Sequence, residues 1–464
     1  MITRFNVLKL FGICSLLTLT TNFPSGFTNS SVNTAVKELH VIKEIKTYSY
    51  QKGVVKGWQL TEVCESLVRS ATLNCWFVSQ IFGAIFAPFL TDHYGRKVAY
   101  HVASLVMLMS TAFQYFAVIY YIPEIFIIGR SFCAFCSPLS DAALIMYLQE
   151  CSPAHLRGAF SFMCEIGYGL MCLLGMILGM RAVLGYKLSL LIGFSLIPQV
   201  FLTIFLVFIP ETPKYLMITR NDRVRALKSL EFFQGKKSDT IRSSINVLTT
   251  WHLRQAVILT LFILVLSLPF YPVLQSSTYF SSIAEFSSMI LMLLLTVSSV
   301  IGTTFVDRYP RRTLLFIFGI LSTVFLTLFS VTASLSGVLW WMKYASLILA
   351  FVKSFCRMVV GPMTWFLGLE LVGQKHRATV FCFCFAVCNI LIAITNFASV
   401  PLFEHVGPLT FIPLYVVPSV LALVYLYIYL PETWNREIYQ IVKSLRSRSM
   451  NATVNYENRS TYKV

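Results

Sequence analysis

Charge is scarce in this chain. Of its 464 residues only 12% are Asp, Glu, Lys or Arg, while 56% are apolar, and mean hydropathy is +0.72. A soluble domain of this size carries roughly twice that charge fraction, so a water-soluble globular protein is excluded. Acids are scarcer still, 20 against 37 bases, and no Asp or Glu precedes Glu38. No glycine-rich loop ending in Gly-Lys-Ser or Gly-Lys-Thr occurs, which removes support for ATP-driven transport. Metal-ligand spacing is also missing. The twelve cysteines fall almost all inside apolar runs, as in "CFCFAVC" at 382–388, and the CxxC at 133–136 stands alone. They read as small apolar filler. No catalytic constellation emerges, so neither an enzyme nor a resident metal or cofactor is expected.

Apolar runs are abundant. A stretch of about 20 residues with few charges is long enough to cross a bilayer as a helix. Such runs occupy 10–34, 71–91, 98–120, 124–148, 158–180, 184–209, 255–280, 285–306, 313–333, 339–369, 378–402 and 408–430. An all-α membrane protein with twelve transmembrane helices is therefore expected. The first run follows Arg4 and Lys9 but shows no small-x-small cleavage pattern, so it reads as a helix and not as a signal peptide.

The net charge of +17 does not point to nucleic acid, because the bases lie where membrane topology places them. Nine Lys or Arg fall in 210–254 and six follow Thr433, while loops near 121–124, 276–285 and 403–407 have none. The positive-inside rule assigns both termini and the central segment to the cytosol. The basic stretch 37–66 resists this assignment and is outweighed by the whole pattern. The sequons at Asn451 and Asn458 then fall in a cytosolic tail, where they would not be glycosylated.

Three motifs occur twice in the same order. "TDHYGRK" at 91–97 is echoed by "VDRYPRR" at 306–312, "LQECSPAHLRGA" at 148–159 by "GLELVGQKHRAT" at 368–379, and "IPETPKYL" at 209–216 by "LPETWNRE" at 430–437. The spacings from Asp92 to Asp307, Glu150 to Glu370 and Glu211 to Glu432 differ by only a few residues, so the chain is a duplicated six-helix unit. The expected organisation is a first bundle over 1–209, a linker with short helices over 210–254, a second bundle over 255–433 and a tail over 434–464. Acid and base recur together: Asp92 with Arg96, Glu150 with Arg157, Glu370 with Arg377. Positive-inside flanking explains the bases but not the acids. The sharper reading is an ion-pair network joining the halves, formed by Asp92, Gly95, Arg96, Glu150, Arg157 and Glu211 with Asp307, Arg311, Glu370, Arg377 and Glu432. Pro310 stands where the first half has Gly95, and is expected to weaken the second half of the lock.

Together with "GRSF" at 129–132 and "GPMTWFLGLEL" at 361–371, these motifs make the chain resemble the sugar porter family of the major facilitator superfamily, and within it the facilitative glucose transporters of animals. The resemblance spans about 10 to 445. It implies two six-helix bundles around a central cavity that opens alternately to either side, with a small-molecule solute and the lipid bilayer as partners, as a monomer in the plasma membrane.

The chain departs from the family pattern at the substrate site. Where the family's seventh helix carries amides that grip sugar hydroxyls, "LVLSLPFYPVLQSS" at 264–277 puts Ser267, Leu268 and Val273. The family's glutamine in the fifth helix falls on Glu165, its glutamate in the tenth on Arg357, and its asparagine in the eleventh on Cys388, beside Asn389. Trp365 is kept. Charges then stand at membrane depth, namely Asp141, Glu165, Lys353 and Arg357, and such residues mark a cavity or a partner. Lys353 and Arg357, four apart, are expected to share a helix face. Glu165, Lys353, Arg357, Trp365 and Asn389 are the candidate substrate residues. Proton-driven relatives use a carboxylate in the first helix, which this chain lacks, so facilitated diffusion is expected. Three readings stay open: a carrier of a hexose or another small polar solute, an organic-ion (anion) carrier using Lys353 and Arg357, and a non-transporting membrane sensor. Trp340 and Trp341 read as an interfacial anchor, Gly361-Pro362 as a break in the tenth helix, and His93, His155 and His376 as solvated loop residues.

Overall fold

The computed structural model describes residues 4–31, 62–120, 122–153, 156–180, 183–185, 187–235, 250–269, 284–336, 339, 341–357, 359–372 and 377–434. Val273, Trp340, His155, His376, Asn451, Asn458 and the basic stretch 37–61 lie outside them. The first half comprises α1 (Arg4–Asn22), α2 (Glu62–His93), α3 (Arg96–Ile119), α4 (Pro123–Cys151), α5 (Arg157–Gly179) and α6 (Leu188–Phe208). Two short helices follow, α7 (Pro213–Ile218) and α8 (Arg223–Gln234). The second half comprises α9 (Thr250–Val265), α10 (Ala284–Val306), α11 (Arg311–Leu335), α12 (Met342–Cys356), α13 (Val360–Glu370), α14 (Arg377–Val406) and α15 (Val417–Tyr429). Among the described residues, eleven helical segments are long and apolar enough to cross a membrane, and Arg254–Val265 is a shorter apolar helix. Helices are the only local solution for such runs, because lipid offers no partner to an open backbone N–H or C=O.

Prolines and glycines set the local departures. Pro24 sits in a π-turn, Phe23–Phe27, that continues α1, and Pro413 sits in the matching position of Ile412–Val416, which leads into α15. In the tenth span α12 ends at Cys356 and α13 begins at Val360; Gly361 and Met363 donate to the Arg357 and Val359 carbonyls at 3.0 and 3.1 Å, and Pro362 between them has no N–H to give. The break thus precedes Gly361-Pro362 by one turn. Gly83 brings α2 against α4: a Cβ there would lie 1.9 Å from the Phe135 carbonyl oxygen.

Large side chains such as Phe201, Phe208 and Tyr427 are mostly exposed around the rim, which suits hydrocarbon and not water. The halves meet along two seams, α2 against α14 and α5 against α10. At the end carrying the repeated motifs, here the charged end, α8 is capped by Asp222, whose Oδ1 accepts the Arg225 N–H at 2.9 Å, and closes on Gly235 in the left-handed region. Lys9 ties α8 to α1 by donating to the Phe232 carbonyl at 3.0 Å.

Because backbone, not a flexible side chain, faces Gly83, Gly83→Val should destabilise the first half by about 1–3 kcal/mol or more. Thermal unfolding of the purified protein in detergent checks this, and Gly12→Val, on an open surface, is the control.

Candidate functional site: the charged end and the central cavity

The duplicated motifs build one device twice. In "TDHYGRK" Asp92 and Arg96 stand one turn apart, with Arg96 3.8 Å from Asp92 and 3.7 Å from Glu150. In "VDRYPRR" Arg311 lies 3.3 Å from Asp307 and binds Glu370 at short range. Each arginine is buried, at 1% and 5% exposure, and stacks on an aromatic ring, Arg96 on Tyr215 and Arg311 on Phe366. The Pro-Glu-Thr copies finish the device. Glu211 accepts the Lys97 N–H at 2.9 Å, and Glu432 accepts the N–H groups of Arg311 at 3.0 Å and Arg312 at 3.2 Å. Each glutamate thereby caps the N-terminus of α3 or α11, where unpaired N–H groups and the helix dipole favour an anion. Gly95, at φ 106°, makes room for this: a Cβ there would stand 2.5 Å from Glu211 Oε2.

Several expectations need correction. Among the described residues, the ion pairs of Arg96 and Arg311 at the charged end each lie within one half. Arg157 and Arg377 do not pair with Glu150 and Glu370; among the described residues they form no ion pair, and their Nε atoms lack partners. The acids go instead to the arginines of the Asp-x-x-x-Arg motifs, because the turns carrying them meet Glu150 and Glu370 in the bundle. Pro310 does not loosen the second copy. It sits at the N-cap of α11 with φ −57°, where proline's fixed φ fits and no helical bond is lost, and the Arg311 contacts are shorter than those of Arg96.

What crosses between the halves is a reciprocal pair of contacts to helix N-termini. Asp307 Oδ2 accepts the Ala159 N–H at 2.9 Å in the first turn of α5. Asp92 Oδ2 accepts the Thr379 hydroxyl at 3.1 Å in the first turn of α14. Gly158 permits the first, since a Cβ there would lie 2.2 Å from Asp307 Oδ1. Burial pushes the Asp307 carboxyl above the ordinary carboxylate range, and the Ala159 N–H and Arg311 draw it back. Gln149 adds a hydrogen bond to the Phe366 carbonyl at 3.3 Å, and Phe162 meets Phe366 across the same seam. These contacts join the two halves at the charged end.

Above this seal lies a central cavity between the halves. Glu165, Arg357, Trp365 and Asn389 all line it, as do Asp141, Gln80, Asn22 and Ser267. Glu165 on α5 and Arg357 at the break between α12 and α13 face each other across the halves at 4.0 Å, and Arg357 also donates to the Ser267 carbonyl at 3.4 Å. Gly361 makes room for the pair: a Cβ there would approach Arg357 Nε at 3.0 Å and Glu165 Oε1 at 3.2 Å. Lys353 does not line the cavity. Its ammonium donates to the Pro269 carbonyl at 3.1 Å and closes the turns after α9, although Arg357 stands one helical turn away, its N–H on the Lys353 carbonyl at 3.2 Å. Gln80, Trp76 and Tyr168 were missed as cavity residues. The signal available was weak: a lone amide or aromatic in an apolar run.

The profile of the family described as "Sugar (and other) transporter" matches residues 13–444. The chain belongs to that family. It is 26% identical over 419 residues to facilitated glucose transporter member 2 of solute carrier family 2 from Mus musculus, covering 83% of this chain and 79% of that protein. Member 1 from Gallus gallus is likewise 26% identical, covering 81% and 82%. Among solved structures, the proton:xylose symporter XylE bound to 6-bromo-6-deoxy-D-glucose superposes with a TM-score of 0.75 at 16% identity, over 95% of this chain and 99% of that one. Inward-open XylE from E. coli gives 0.63 at 16% identity, over 94% and 99%. The fold is thus the twelve-helix major facilitator fold. The protein is an integral membrane transporter of the sugar porter type, working by alternating access, and not an enzyme.

Asp307→Ala removes the cap on α5, so the charged end should open. Spin labels at the exposed Tyr94 and Tyr309, one in each half, should report a longer distance by pulsed electron resonance. Glu432→Ala, which removes a cap within one half, should lower thermal stability by about 0.5–2 kcal/mol and leave that distance unchanged.

Proposed function

We propose that this protein is a facilitative carrier for a small polar organic solute, with a hexose as the default, and that the cavity above the seal is where the solute binds. The observation that carries this reading is the position of the cavity. It sits between the two halves, its walls come from both, and hydrogen bonds between the halves lie at one end of it. Such midplane sites between repeat-related halves are the general design of secondary transporters. Trp365 supplies a flat apolar wall, and Gln80, Asn22 and Asn389 offer amides of the kind that hydroxyl-rich solutes need. In this reading Asp92, Gly95, Arg96, Glu150, Glu211, Asp307, Arg311, Glu370 and Glu432 form the lock, while buried Arg377 and half-buried Arg157 stand beside it. The charged end and both termini face the cytosol, and the protein works as a monomer in the plasma membrane.

Facilitation is supported by the first helix. Arg130, fully buried in α4, donates to Asn29 Oδ1 at 2.6 Å. An amide there carries no titratable proton. A sensor without transport would have no use for two copies of a releasable seal, which counts against that reading.

Purified protein in liposomes should equilibrate a labelled hexose or polyol by saturable counterflow, without accumulation under an imposed pH gradient. Trp365→Ala should reduce the rate by about tenfold, the loss of one ~1.4 kcal/mol contact. Uptake no faster than in protein-free liposomes across a panel of neutral sugars, amino sugars and sugar acids would overturn the reading.

A further inference from the structure

Glu165 and Arg357 face each other, so neither offers a whole charge to a solute. Asp141 is different. It sits in the middle of α4, at membrane depth, yet it stays partly exposed because it borders the cavity. Its hydrogen-bond partner is the Ser137 hydroxyl at 3.3 Å, itself approached by Gln80 Nε2 at 3.5 Å. An ionised carboxylate accepts at about four lone-pair positions, and one long bond from a hydroxyl leaves most of that capacity open. No basic side chain forms an ion pair with Asp141 among the described residues. The buried bases of the neighbouring spans are committed elsewhere: Arg130 to Asn29, Lys353 to Pro269, Arg357 to Glu165. The charged residues lining the cavity are therefore two carboxylates, Asp141 and Glu165, and one guanidinium, Arg357.

We propose that the cavity takes a small hydroxylated solute bearing an ammonium group, with Asp141 as its counter-ion. This rests on the carrier reading above and narrows its substrate class. The remaining walls fit the same chemistry. Trp76, Phe77, Tyr168, Trp365, Phe381 and Phe385 line the cavity, and aromatic faces attract a cation that has lost its water. A bare metal cation is a poor fit, because hard cations take six or more oxygens and Asp141 has one hydroxyl beside it. An ammonium on an organic skeleton needs only the carboxylate, a few acceptors and an apolar wall. A carboxylate-bearing solute, by contrast, would have to displace Glu165 from Arg357 and then sit near Asp141, with like charges opposed.

A charge series on one skeleton tests this: glucose, glucosamine and glucuronate as competitors and labelled substrates in the liposome assay. Glucosamine should be preferred over glucose by about tenfold or more, and glucuronate should be the weakest. Asp141→Asn, which keeps shape and polarity, should remove that preference while glucose counterflow persists at a measurable rate. If glucose moves as well as glucosamine, or Asp141→Asn keeps the preference, the counter-ion assignment is wrong and the carrier reading stands. If glucuronate is preferred, Arg357 and not Asp141 sets the sign of the site. Should none of the three move, the carrier reading fails with the proposal. Should Asp141→Asn not insert, thermal stabilisation of the wild-type protein by glucosamine over glucose decides, and its absence overturns the proposal.

Discussion

The charged end of this bundle is organised around two buried arginines, Arg96 and Arg311, and the anions that receive them. Arg96 and Arg311 are almost fully buried, each enclosed by an aspartate one turn away, a glutamate from the fourth or the broken tenth span, and an aromatic ring. Removing one partner from such a set leaves an uncompensated charge, which is far more costly than losing an exposed pair. The glutamate of each Pro-Glu-Thr copy then holds the N-terminus of the helix that the arginine begins. The repeated motifs are thus parts of one object, although about 50 to 120 residues separate them within each half.

The same economy explains how the halves can seal and release. At the charged end the ion pairs of Arg96 and Arg311 stay inside each bundle among the described residues. The links across the seam include single hydrogen bonds that an aspartate accepts from the first turn of the opposite helix, Asp307 from α5 and Asp92 from α14. A neutral or singly charged hydrogen bond contributes only about 0.5–3 kcal/mol net. That is small enough to be broken in each cycle and large enough to bias which end is open.

At the centre the logic reverses. Beside its amides the cavity holds an acid and a base that face each other across the halves, and a third ionisable group, Asp141, that forms no ion pair among the described residues. Glu165–Arg357 spans the two bundles at the level of the cavity, so it also couples the state of the site to their separation. Polar groups at this depth keep their charge only where a cavity or a counter-charge receives them, and Asp141 borders the one while lacking the other.

The sequence by itself determined the all-α membrane fold class and the family, because apolar length and recurring motifs are local properties of a chain. It also determined that Glu165, Arg357, Trp365 and Asn389 deserve notice, since ionisable and polar residues within apolar runs are rare. It did not determine partners. Arg157 was read with Glu150, and Arg377 with Glu370, because they are neighbours in sequence; in space Glu150 and Glu370 go to Arg96 and Arg311. Lys353 and Arg357 stand one helical turn apart, as their spacing implies, but only Arg357 borders the cavity, and Lys353 closes the end of α9 instead. Pro310 was read as a weakness because its N-cap position, which needs no donor, was not visible. Only the tertiary structure decided these points, because which charge meets which depends on how helices far apart in the chain pack, and a buried charge takes the nearest partner in space.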